Sequence, residues 1–235
     1  MIAMTSFPNA FKALVIGSGA IGTAFIDILR ATPHGSSVEL LSRHSQPAID
    51  FDQENSIADA AQALLLAKKG PFHLIVNAVG ILHSSHFMPE KKLADINYDQ
   101  ILTTFQTNTF GPAMVIRHFS KLLDKEKAVM VFLSAKVGSI EDNKLGGWYS
   151  YRASKAALNM ILKTASIELK RTQPYTTLIA MHPSTVNSAL SQPFRGMEIG
   201  RSAHDAVEDM LKVINAVTPA DTGRFYAYNG EILPW

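Results

Sequence analysis

No cysteine occurs among the 235 residues, so disulfides, thiolate zinc sites and cysteine nucleophiles are excluded. An excess of one charge is also missing. The 22 Lys and Arg against 20 Asp and Glu leave a net +2, and no basic run is longer than a pair such as Lys91-Lys92. That balance points away from a nucleic-acid groove or a polybasic membrane patch. No uninterrupted apolar run approaches the roughly 20 residues of a membrane span, so none is expected. The opening stretch MIAMTSFPNAFK has no basic segment followed by an apolar one. No secretory leader is therefore expected, and a cytoplasmic location is. What is abundant is apolar material: 47% hydrophobic residues against 18% charged, enough for one sizeable core. With no repeat, low-complexity segment or linker, a single domain over 1–235 is the simplest organisation.

Short apolar runs alternate with longer amphipathic stretches. Residues 13–16 (ALVI) predict a buried strand running into glycines, followed by a helix over 20–31. A second strand is expected at 38–42 (VELLS) and a short third at 48–51. Ser56 is placed to cap a helix that extends to Lys69 and stops at Gly70-Pro71. Strand four covers 72–77 (FHLIVN), a long helix 98–124, and strand five 128–134 (AVMVFLS). A helix follows over 151–171, strand six over 177–181, a helix over 202–216 and a last strand over 224–227. Strands buried on both faces and alternating with helices imply an α/β fold. Its form is a Rossmann-type, doubly wound parallel sheet of about seven strands with helices on both faces.

Gly17-Ser-Gly19-Ala-Ile21-Gly22 spells G-x-G-x-x-G between the first strand and the first helix. Glycines are needed where the chain turns sharply and where backbone must approach a pyrophosphate, whose charge sits at the helix N-terminus. About 20 residues on, a carboxylate would hold a ribose 2′-hydroxyl. That place is taken by Ser42, followed by Arg43, whose guanidinium suits a 2′-phosphate and argues for NADP(H). Glu39 keeps the NAD alternative open only if it stands at the strand end.

Tyr151 and Lys155 lie four residues apart, on one face of a helix. An ammonium stabilises phenolate, so a phenol with an ordinary pKa near ~10 is drawn toward proton exchange. Carbonyl reduction by hydride needs such a group, because the forming alkoxide must take up a proton.

Taken in order, these residues resemble the short-chain dehydrogenase/reductase family over essentially the whole chain. Asp50-Phe51 resembles the acidic position after strand three that contacts the adenine amine. Asn77-Ala78-Val-Gly80 is similar to the family's Asn-Asn-Ala-Gly turn, with Ala78 replacing the second Asn. Asn108, in TNTFG, matches the helix Asn that holds a water in the proton relay. Tyr151 and Lys155 match the catalytic Tyr-x-x-x-Lys, and Lys155 would also bind the nicotinamide ribose. Pro183-Ser-Thr-Val186 is similar to the Pro-Gly-x-Val segment beside the nicotinamide, with Ser188 where the family often has Thr. The stretches GSIEDNKLGGWYSYRASKAALN and TPADTGRFYAYNGEILPW resemble the C-factor-like and small carbonyl reductase subgroup, some of whose members are described as cell–cell signalling proteins.

The resemblance implies an NADP(H)-dependent oxidoreductase that reduces an aldehyde or ketone to an alcohol, with Tyr151 as proton donor. It also implies a small-molecule carbonyl or alcohol substrate, no metal, and a homodimer or homotetramer built on helices 98–124 and 151–171. The alternatives are a dinucleotide-binding signalling protein with little turnover and a NAD-linked alcohol dehydrogenase. The sequence departs from the family in several places. The glycine turn is one residue short, Ser184 replaces a Gly, and Ala135 takes the slot of the catalytic serine. Ser134 and Ser139 are the remaining hydroxyls, with Ser134 preferred. His83 and His86 read as loop residues at the pocket mouth, Trp148 and Tyr149 as pocket lining or loop packing, and 188–201 as a mobile flap.

Overall fold

A computed structural model gives the fold over residues 3–32 and 37–235, so Met1 and Ile2 of the opening stretch lie outside the described residues. The chain runs through β1 (Lys12–Ile16), α1 (Ala20–Arg30), β2 (Ser37–Leu41), α2 (Glu54–Leu66) and β3 (Leu74–Asn77). It continues through α3 (Tyr98–Phe105), α4 (Gly111–Phe119), β4 (Ala128–Leu133), α5 (Tyr149–Thr172) and β5 (Thr176–His182). The short α6 (Gly196–Ile199), α7 (Ala203–Ala216) and β6 (Phe225–Ala227) complete it.

Six strands form one parallel sheet in the order β2-β1-β3-β4-β5-β6. β4 is buried along its whole length, as expected for a central strand covered on both faces. Side chains alternate between two cores. Leu14, Ile16, Met130, Phe132, Leu178 and Ala180 point toward α2, α4 and α5, meeting Ile57, Val115 and Leu158. Val15, Val129, Val131, Ile179 and Met181 point the other way, against Phe25 and Leu29 of α1 and Val207 and Met210 of α7. The chain leaves β1 toward β2 and returns to β3 on the opposite side, so the winding reverses between β1 and β3. Ligands of such sheets bind at that crevice, beyond the carboxyl ends of the strands.

The sheet has six strands because 48–51 is not one of them. Its backbone is satisfied by local turns instead: Ile49 N–H donates to the Ser42 carbonyl, and Asp50 N–H to the Ser56 hydroxyl. Ile49 and Phe51 are still buried, which explains the apolar signal. Ser56 therefore lies inside α2, whose N-cap is Gln53, and its hydroxyl braces the preceding loop. The long helix expected over 98–124 is interrupted by a π-helical turn, Gln106–Phe110, and tightens to a 3₁₀ turn at Ser120–Leu122. Such widened turns hold one residue more per turn and often occur at functional sites. Among the described residues, no helix is long and apolar enough to cross a membrane.

Where α4 begins, a side chain on Gly111 would collide with the ring of Phe51. Gly111→Ala should therefore destabilise the fold by about 1–3 kcal/mol despite alanine's better helix propensity. The denaturant midpoint measures this; an unchanged or raised midpoint would show that the Phe51 ring can move aside.

Candidate active site

The glycine turn closes directly on β1. Gly17 adopts φ +106°, open to glycine at little strain, and a Cβ there would lie 3.1 Å from the Ala78 carbonyl carbon after β3. A Cβ on Gly22 would collide with the Gly17 carbonyl oxygen. Gly19 is the N-cap of α1, has no side-chain cap, and leaves open space where its side chain would be. The first N–H groups of α1 thus face a cleft of ≈ 370 Å³. Gly17, Gly19, Ser42, Arg43, Asp50, Phe51, Ala78 and Gly80 all line that cleft.

The other expected binding residues lie beside it or beneath it. Ile21 packs on the α1/α7 core, and Gly22 is buried under the turn. Asn77 is buried at the end of β3, its side-chain carbonyl accepting from Val79 N–H. Arg43 is exposed at the rim, just past the end of β2. Glu39 is the central residue of β2, not its end, and its carboxylate is 2.9 Å from the Lys69 ammonium. An anionic group in this cradle would meet helix N–H groups and Arg43, so the residues present fit a phosphate-bearing dinucleotide.

The second half of the site gathers around Lys155, which is 3% exposed. Its ammonium donates to the Leu133 carbonyl at 2.9 Å, at the end of β4. A Cβ on Gly80 would lie 3.5 Å from this nitrogen and 3.4 Å from Asn108 Oδ1, so Gly80 leaves the space between them open. Asn108 sits in the π turn, fully buried. Its Oδ1 accepts from Ile81 N–H, and its Nδ2 donates to the Ile81 carbonyl and the Ser154 hydroxyl. Tyr151, in the first turn of α5, places its ring 5.9 Å from the Lys155 ammonium.

The ammonium lies over the Tyr151 ring, and burial rather than the nearby charge sets the direction of the phenol's shift, opposite to the depression expected from spacing. Burial pushes Tyr151 up to about 12 and Lys155 down to about 8. Ser134 and Ser139 both direct their hydroxyls elsewhere, not to the Tyr151 hydroxyl. Ser134 points toward α5, as strand alternation requires, and donates to Asn159 Oδ1 at 2.6 Å. Ser139 donates to the Trp235 backbone oxygen and accepts from Asp142 N–H. Ala135, 8% exposed, stands between them in the extended conformation.

Pro183 follows β5 directly. Ser184 takes φ 70°, and Val186 is buried in a bridge to Arg201 that closes the base of the flap. Ser188 donates back to the Val186 carbonyl. The flap is folded as a short turn, Gln192–Phe194, followed by α6. His83 fastens it: its Nε2 lies 3.2 Å from both the Ala189 and Leu190 carbonyls, and its ring lies 5.9 Å from that of Phe194. Phe194 also meets Trp148 at 5.0 Å, and Trp148 meets Tyr151 at 6.1 Å, so an aromatic chain runs from flap to tyrosine. Among the described residues, no cluster of three or more His, Asp or Glu is placed to hold a metal ion.

Several site neighbours lie outside the residues expected from the sequence. Glu90 and Ser150 are joined across 60 residues at the start of α5, with Trp148 N–H on the Glu90 carbonyl. Asn159 follows Lys155 by one turn, a spacing that could have been read from the helix. His182, last in β5, has a pKa pushed down to about 4, first by burial and then by nearby Lys136.

A parallel sheet with this strand order, a glycine turn at its switch point and a Tyr-Lys-Asn cluster beside it define a dinucleotide-binding oxidoreductase fold. Residues 39–198 match the family described as short chain dehydrogenase, and the chain belongs to that family. A 1-hydroxy-2-glutathionyl-2-methyl-3-butene dehydrogenase from Rhodococcus sp. (strain AD45) is 30% identical over 190 residues, 81% of this chain and 80% of the relative. The C-signal of Myxococcus xanthus is 32% identical over 167 residues, 71% of this chain and 94% of that one. An NADPH-bound carbonyl reductase from chicken fatty liver shares the fold with a TM-score of 0.83 at 23% identity, covering 97% of this chain and 96% of that one. The carbonyl reductase Sniffer of D. melanogaster does so with 0.80 at 21% identity, over 95% and 99%.

Replacing His83 by Ala removes the contact to two flap carbonyls, a loss of about 1 kcal/mol. Amide hydrogen exchange over 189–199 should then quicken roughly fivefold with the sheet unaffected. Unchanged exchange would leave the flap held by Phe194 and the Arg201 bridge alone.

Proposed function

We propose that this chain is an NADP(H)-dependent reductase of small-molecule aldehydes or ketones, a single domain working in the cytoplasm, with Tyr151 as proton donor. The observation that carries this reading is the meeting of Tyr151, Lys155 and Asn108 beside the glycine-walled cleft at the switch point. NADPH bound in that cleft would supply the hydride. The phosphate end would lie against Gly17, Gly19 and the first N–H groups of α1, with Ile21 and Gly22 shaping the turn. Arg43 and Ser42 would hold a 2′-phosphate. Glu39, committed to Lys69, is not placed to hold a 2′-hydroxyl, which supports NADP over NAD. Asp50 and Phe51 would border the adenine, and Asn77, Ala78 and Gly80 the adjoining ribose. Pro183, Val186 and Ser188 would border the nicotinamide.

Tyr151 donates its hydrogen bond to the substrate oxygen and then its proton to the forming alkoxide. A phenol raised to about 12 stays protonated throughout the neutral range, as a proton donor must. The Lys155 cation stabilises the phenolate left behind. With both Asn108 side-chain polar atoms on Ile81 and Ser154, a relay water here would sit on its main-chain carbonyl, whose α-helical donor is missing because Pro112, four residues on, has no N–H. Ser134 stays on Asn159 in this reading, since turning to the substrate would break a buried bond. The signalling alternative draws on Ala135 and on the likeness to C-signal, but it leaves the rest of the cluster unexplained. Outer residues of α5, such as Met160 and Ile167, are exposed, and pairing of subunits through this face is part of the proposal.

Tyr151→Phe should lower NADPH-dependent turnover of an aldehyde, ketone and diketone panel by about 10²- to 10⁴-fold, with NADPH affinity kept. Turnover at the wild-type rate would remove Tyr151 from the chemistry, while wild-type protein that binds NADPH and reduces nothing would favour the signalling reading. The reductive rate should also fall as pH rises through about 8. Lys155 is pushed below the ordinary lysine value, so its charge is present below that pH and lost above it. A pH–kcat profile that stays flat well beyond this point would take the Lys155 charge out of the mechanism.

A further inference from the structure

Of the described acidic residues, Glu90 alone is buried, at 2% exposure. A carboxylate removed from water needs compensation, yet no basic side chain among the described residues pairs with it. Its two oxygens each lie 3.2 Å from Ser150 N, and one also accepts the Ser150 hydroxyl proton. Its backbone carbonyl accepts from Trp148 N–H at 2.5 Å. Every one of these contacts falls on the N-cap or the first turn of α5, where unpaired N–H groups and the positive end of a 24-residue helix favour a negative charge. Tyr151 is the residue after Ser150.

First turns fray unless they are capped. From Lys155 onward, α5 is fixed by the Leu133 carbonyl and by Leu158 and Leu162 in the core. The turn carrying Tyr151 lies ahead of those anchors, and Gly146, Gly147 and Trp148 before it all have positive φ. Backbone in that conformation does not extend the helix and supplies no side-chain cap. Arg152 and Ser154 hold the far side of the Tyr151 turn, through the Gly146, Gly147 and Val137 carbonyls and through Asn108 and Thr109, and leave its Trp148–Ser150 end to Glu90.

We infer that Glu90 is a positioning residue. By gripping Ser150 and Trp148 it fixes the start of α5, and so sets where the Tyr151 hydroxyl points. This rests on the carbonyl-reductase reading. The loop that carries Glu90 also carries His83, so one segment holds both the flap and the tyrosine.

The test uses the full chain, NADPH and the best carbonyl of the panel, with the variants Glu90→Ala, Glu90→Gln and Ser150→Ala. Glu90→Ala should lower kcat about tenfold or more, as sub-ångström misplacement of a reacting group does. The KM for the carbonyl and the Kd for NADPH should stay within about threefold, because Lys155 and the cleft keep their anchors. Glu90→Gln, which still offers an oxygen to Ser150, should recover most of the rate, and Ser150→Ala should fall between the two. A folded Glu90→Ala with kcat within about twofold of wild type overturns the inference. So does a loss in which kcat, NADPH affinity and melting temperature fall together. Should Glu90→Ala not fold, the other two decide: wild-type kcat in both overturns the inference, and a lowered kcat in Ser150→Ala with NADPH affinity kept supports it. If Tyr151→Phe also turns over normally, the reductase reading has failed, not the assignment of Glu90.

Discussion

The rest of the site depends on one buried charge, the ammonium of Lys155. A cation that cannot reach water needs a dipole beside it, and separate parts of the chain shape the place where it finds one. The Leu133 carbonyl ends β4 directly at the nitrogen. Gly138 lets the loop after β4 pass beside α5, since a Cβ there would lie 2.7 Å from the Lys155 Cβ. Gly80 keeps the opposite side open toward Asn108. The end of β4 and α5 are thus joined at one nitrogen, and the π turn faces it across the space that Gly80 leaves.

The π turn serves the same arrangement from the other side. The extra residue at 106–110 lets Asn108 reach across and pair with both the N–H and the carbonyl of Ile81, as a neighbouring strand would. A network of this kind, with every polar atom satisfied, is stiff and specific. It fixes the chain just after β3, where the crevice between β1 and β3 opens.

Features set by short-range chemistry were legible in the sequence. The glycine turn, the fully apolar β4 and the spacing of Tyr151 and Lys155 all follow from neighbours within a few residues, and each lies where it was expected. The strand expected at 48–51 failed because burial of Ile49 and Phe51 imitates a strand, while the backbone bonds go to a turn. The direction of the Tyr151 shift differs from the expected one for a related reason. Helical spacing gives proximity but not burial, and burial pushes both pKa values the opposite way. Glu90 was invisible because Trp148 and Ser150, its partners among the described residues, lie far along the chain, and nothing in Pro89-Glu90-Lys91 distinguishes it from a surface acid. The serine question, open in the sequence, becomes one of commitment: Ser134 and Ser139 both already serve as internal ties.

Trp148 holds a left-handed conformation, φ 52°, that costs a bulky residue energy and that glycine would adopt with less strain. Its ring is also the link between Phe194 and Tyr151. Backbone preference and ring packing therefore pull this position in opposite directions. Thermostability engineering guided by backbone geometry alone would choose glycine at 148, gaining a relaxed turn while breaking the aromatic chain between the flap and Tyr151. Backbone ease and the join between flap and helix compete here at a single residue.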